Sequence, residues 1–129
     1  MSTTISDTIN RIIRLAKEFN ESNDASIYFL LKQTGYIELH DQISIDLIRN
    51  ALLDCPEYIN YWIQFSEDKR SNVGWYIRRY ETSYEVGFFD SKAPNICPEK
   101  YTDPAEACAI FIKHEIESIR QAQKHFNKV

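Results

Sequence analysis

At Gly74 the spacing of apolar residues changes from the helical repeat of about 3.6 to the strand repeat of two, so the chain must carry both element types. Trp75 and Ile77 point one way and Tyr76, Arg78 and Tyr80 the other. The following run sends Tyr84, Val86 and Phe88 to one face and Glu85, Gly87 and Phe89 to the opposite one. An even connection around Thr82 and Ser83 places Trp75, Ile77, Val86 and Phe88 on a common face, whereas an odd regular loop would split them. A hairpin with an even loop is therefore expected. Its apolar face is expected to pack on helices and its other face to stay open to a third strand or a partner. Two strands alone are marginal, and the weak alternation of Tyr36–Leu39, between Gly35 and His40, marks that segment as the expected third strand.

Upstream of the hairpin the pattern is helical. Ile5, Ile9, Ile12, Ile13, Ala16 and Phe19 predict one helix over about residues 7–20, with Ser6 or Asp7 as its cap. Ile27, Leu30 and Leu31 predict a short helix over 25–33 that stops before Gly35, with a strand as the alternative. Ile45, Leu47, Ile48, Ala51 and Leu52 predict a third over 44–54, interrupted at Cys55-Pro56. Asp54 is then placed to cap a fourth helix, with Pro56 in its first turn and Ile59, Trp62, Ile63 and Phe65 on its apolar side, ending near residue 68. Residues 91–102 contain two prolines and no period, which reads as an ordered loop. Beyond it, Asp103-Pro104-Ala105-Glu106 has the spacing of a capping box and opens a long helix over about 104–125.

The expected fold class is α+β: N-terminal helices packed on a small antiparallel sheet, with a long C-terminal helix. The chain's 129 residues, 43% of them hydrophobic, suffice for a single domain over residues 1–129 with its own core, and its three glycines leave few sites for a linker. The N-terminal residues do not read as a secretory signal, and charged or amide residues interrupt every apolar run, so a cytoplasmic protein outside the membrane is expected. Three cysteines without metal-ligand spacing fit reduced thiols.

No short catalytic or metal motif occurs. His114-Glu115 is not HExxH, because Ser118 stands where the second histidine is needed. Cys97 in its loop has nucleophilic use only if a base such as His40 approaches it. Glycine-rich phosphate loops are absent. The expectation is no catalytic residue, no metal and no cofactor. A formal charge of −4 disfavours direct contact with nucleic acid. What remains is a recognition surface on the outer hairpin face and its ends, for which Glu67, Asp68, Tyr76, Arg78, Tyr80, Glu85, Phe89 and Asp90 are the candidates: aromatic rings for contact area, carboxylates for Lys or Arg of a partner.

The succession Gly74-Trp75-Tyr76-Ile77, Tyr84-Glu85-Val86-Gly87-Phe88-Phe89, Tyr101 and Asp103-Pro104-Ala105-Glu106-Ala107-Cys108 resembles the layout of bacterial immunity proteins that partner polymorphic or contact-dependent growth-inhibition toxins. The likeness covers the middle and C-terminal third. It implies a small cytoplasmic protein, not an enzyme, that binds one cognate toxin domain and blocks its active site or substrate access. Many such toxins are nucleases, including RNases, whose basic groove would suit a negative partner. These families share no functional motif, so the resemblance assigns no binding residue. An intracellular adaptor or secretion-chaperone-like module using the same surface is the alternative.

Overall fold

The computed structural model describes residues 4–22, 25–69, 73–90, 92 and 98–127, the last five of these by their backbone only. Thr4, rather than Ser6 or Asp7, caps the first helix, α1 (Ile5–Ile13): its Oγ1 accepts from the Asp7 N–H at 3.0 Å. The single helix expected over residues 7–20 is divided, because α2 (Leu15–Glu21) begins after a break at Arg14. Ile12, Ile13, Leu15 and Ala16, on both sides of the break, are all buried. Beside the break the Trp62 indole N–H donates to the Ile13 carbonyl at 3.0 Å.

The short helix expected next is α3 (Ile27–Thr34), with Ser26 Oγ accepting from the Phe29 N–H at 3.1 Å. It stops at Gly35, whose φ of 89° lies in the left-handed region open to glycine. The third strand expected at Tyr36–Leu39 is not formed. That segment is a helical turn, α4 (Tyr36–Leu39), continued by a 3₁₀ turn at His40–Gln42. The cause is tertiary. Tyr36 is fully buried, and its hydroxyl meets the Glu117 carboxylate and accepts from Lys113 Nζ at 3.0 Å. Lys113 also donates to the His40 carbonyl at 2.8 Å, so one face of the final helix gathers both ends of the turn.

Ser44 Oγ accepts from the Leu47 N–H at 3.2 Å and opens α5 (Ile45–Asp54). α6 (Glu57–Asp68) follows Pro56, but Asp54 does not cap it: Pro56 itself holds the cap position, and no side chain bonds there. The corner is closed by backbone, with the Cys55 N–H on the Ala51 carbonyl and the Tyr58 N–H on the Cys55 carbonyl.

β1 (Val73–Arg79) and β2 (Tyr84–Asp90) pair antiparallel, with Trp75 opposite Phe88 and Ile77 opposite Val86. Arg79 pairs with Tyr84, and the Tyr80 N–H donates to the Ser83 carbonyl at 2.8 Å, which is the even connection expected. β3 (Glu99–Tyr101) lies inside the segment expected as loop and pairs with β2 on its free side, giving the order β1-β2-β3. Its three residues are too few to show a period, and a distant strand holds them.

α7 (Pro104–Asn127) begins at the expected Asp103 cap, without the reciprocal bond to Glu106 that completes a capping box. Asp103 Oδ1 accepts from the Ala105 N–H at 3.0 Å, and Oδ2 holds the Arg49 guanidinium of α5 at 2.9 Å. α7 packs on α5 and on the inner face of the sheet, and α6 packs on β1. The core joins Ile12 and Ile48 to Trp62, Ile77, Phe111 and Ile112, all fully buried, and the Trp62 ring meets Phe65 and Phe111 edge-on. The described residues thus form an α+β fold in which helices occupy one face of a three-stranded sheet. None of the described helices is long and apolar enough to cross a membrane.

Candidate functional site

The strand register turns Gly74, Tyr76, Arg78, Glu85, Gly87, Phe89 and Lys100 to the sheet face opposite α6 and α7. Tyr76 lies across Gly87, where a Cβ would sit only 2.7 Å from the Tyr76 hydroxyl oxygen. Any larger residue here would push the end of the Tyr76 side chain aside. The ring therefore reaches Glu85, and its hydroxyl donates to Glu85 Oε2 at 2.8 Å. Burial, followed by this bond, pushes the Tyr76 phenol up to about 12, so it remains a neutral donor at neutral pH. The Arg78 guanidinium stands 4.9 Å over the same ring.

The alternation predicts Glu85 as an outward recognition carboxylate, and the structure withdraws it from solvent. It is only 8% exposed, lies between Arg78 and Lys100 in the cross-strand row, and is engaged by Tyr76. Alternation placed it on the correct face; the tyrosine folded over glycine then covered it. The exposed charges on this face are consequently basic, Arg78 and Lys100, beside the exposed rings of Tyr80 and Phe89. Lys100 Nζ sits 5.9 Å from the Tyr80 ring. Lys100 has no signal in the sequence, because the aperiodic segment around it does not mark β3 as a strand.

The end of α6 closes the free edge of β1. Ser66 Oγ accepts from the Ile77 N–H at 2.9 Å, and Lys69 Nζ donates to the Trp75 carbonyl at 3.0 Å. Lys69 also pairs with Glu115 of α7 at 2.9 Å. Burial raises the pKa of Glu115, while Lys69 pulls against it. Edge backbone groups that would otherwise attract another strand are thereby occupied. A groove of about 380 Å³ runs beside this clasp and brings Glu67, Tyr76, Arg78 and Phe89 together.

The other candidates scatter. Asp68 accepts from Gln64 Nε2 at 3.0 Å and turns to a separate cavity of about 240 Å³ against α2. Tyr80 marks the hairpin end. Asp90, opposite Val73, accepts from the Lys92 N–H at 2.9 Å.

His114 stacks on Trp75 at 3.9 Å between ring centroids, and burial lowers its pKa. His40 Nδ1 stands 4.0 Å from Glu117. Cys97 and the His125 side chain lie outside the described residues. Cys108 is fully buried, which pushes its thiol up and keeps it protonated. Among the described residues no group of three or more His, Cys, Asp or Glu is placed to hold a metal ion. Compared with known proteins, the chain matches no family model, no curated protein and no solved structure.

Proposed function

We propose that this chain is a binding protein that neutralises a cognate toxin domain, a nuclease, by covering its active site or the approach of its substrate. The observation that carries the reading is the outer sheet face: Tyr80, Phe89, Arg78 and Lys100 are exposed on a platform whose inner partners, Tyr76 and Glu85, are locked together. Aromatic and arginine anchors on a pre-ordered surface supply contact area at little entropic cost, which is how binding hot spots are built. The resemblance to immunity proteins supplies the class of partner. Arg78 and Lys100 would meet carboxylates or carbonyls at the rim of the toxin's cleft, leaving its basic floor to the acidic remainder of a chain with net charge −4.

A second reading, an adaptor or secretion chaperone for a non-toxic client, is favoured by the same basic outer face, which would suit an acidic client segment. Co-expression separates the two. Cells producing the C-terminal toxin domain encoded beside this chain should survive only when the chain is present. Equal death with and without it would end the toxin reading. Recovery of a secretion component in a pull-down from native cells would support the second.

A further inference from the structure

A second surface lies on the helical side, between α1 and α5. Ile5 and Ile9 from α1 and Leu47 and Ala51 from α5 line a groove of about 400 Å³, with Asn50 and Asp54 along its margin. Each apolar pair is spaced i, i+4, so each forms a strip along its own helix. Leu47 is 38% exposed although it stands on the groove side of an amphipathic helix.

Asp54 is the residue that gives this groove a sign. It is exposed at the last position of α5, with no basic residue in that turn. A carboxylate there opposes the helix dipole, which favours cations at a C-terminus. It does not cap α6 and makes no ion pair among the described residues. Among the described residues no Lys or Arg lines the groove, and Asp46, one turn before Asn50, is exposed as well. The carboxylate is thus unfavourable to the end of α5 and carries no ion pair among the described residues.

We infer that the α1–α5 groove binds an amphipathic helix of a protein partner, apolar on the side that enters and carrying Lys or Arg along the side that meets Asp54. A helical guest satisfies its own backbone hydrogen bonds and sets its side-chain ridge between two existing ridges, whereas an extended guest would meet no free strand edge here. Leu47 to Asp54 spans two turns, about 10 Å, so the guest supplies anchors at i, i+4 and i+7. This surface is distinct from the outer sheet face, and its occupation does not depend on the toxin reading.

The test uses the full chain and a synthetic 18-residue peptide with leucine at helical i, i+3, i+4 and i+7 spacing and lysine elsewhere. Its control replaces every lysine by glutamate. Amide shifts of the labelled protein should move at residues 5–10 and 47–54 with the lysine peptide and stay in place with the glutamate peptide. Leu47→Glu and Asp54→Lys change exposed positions, and circular dichroism will verify that both fold. Each should weaken lysine-peptide binding at least ten-fold by fluorescence anisotropy. Failure of the lysine peptide to bind, equal binding of the two peptides, shifts confined to other surfaces, or a groove filled by a second copy of the chain would each overturn the inference.

Discussion

Replacing Lys69 by Met removes the cation that holds Glu115. In the native protein their charged atoms are 2.9 Å apart, with side chains 21% and 8% exposed. Breaking such a pair from one side costs about 3–5 kcal/mol when fully buried, and the partial exposure of Lys69 lowers that figure. Loss of the bond to the Trp75 carbonyl adds about 1 kcal/mol. A deficit of about 3 kcal/mol at pH 7 follows, or roughly 10 °C in Tm for a domain of this size. The deficit must also depend on pH. Burial already raises the Glu115 pKa above its ordinary 4.5, and loss of Lys69 raises it further. A carboxyl with a raised folded pKa binds its proton more tightly when folded, so its penalty is absent below the unfolded pKa and grows as pH rises through the folded one. Urea unfolding followed by tryptophan fluorescence should therefore give a deficit near ~1 kcal/mol at pH 4 and near ~3 kcal/mol at pH 7. Lys69→Met/Glu115→Leu should recover most of the loss at pH 7, since an apolar pair needs no counter-charge. A deficit below ~1 kcal/mol at pH 7, or one identical at the two pH values, would refute the reasoning.

Gly87→Ala forces the Tyr76 ring away from Glu85 and should cost about 1–3 kcal/mol in chemical denaturation, with exposure of the Glu85 carboxylate. Burial alone would raise the Glu117 pKa, but Arg120, Tyr36 and Lys113 hold it down to about 2. Its contribution to stability is complete above the ordinary 4.5 and is lost as pH falls toward that lower value, so Glu117→Gln should flatten the acid limb of a stability profile across this window. Asp54→Lys should stabilise α5 by about 0.3–1 kcal/mol in thermal melts, by relieving the carboxylate at the helix C-terminus.

The features legible in the sequence were those in which one short segment contains the whole signal. The period change at Gly74, the shared face of Trp75, Ile77, Val86 and Phe88, the even loop, the stop at Gly35 and the Asp103 cap all appear in the structure. What sequence missed depends on distant partners. Tyr36 carries an alternating pattern but is buried under Lys113 and Glu117, and that contact makes its segment helical. β3 exists through its pairing with β2. The break at Arg14 is hidden because apolar residues continue at helical spacing on both sides of it. At the candidate site, alternation gave Tyr76, Arg78, Glu85 and Phe89 their common face, but the reach of Tyr76 over Gly87, which removes Glu85 from solvent, is a matter of side-chain geometry.

The proposed function is tested most directly by titration calorimetry against the cognate toxin domain that it calls for, which reads whether binding is done by the outer sheet face. Tyr80→Ala/Phe89→Ala leaves the core untouched, because both rings are solvent-exposed. The account expects binding to weaken about 30-fold or more, as for loss of a hot spot, with Tm unchanged. Affinity equal to that of the native chain would contradict it.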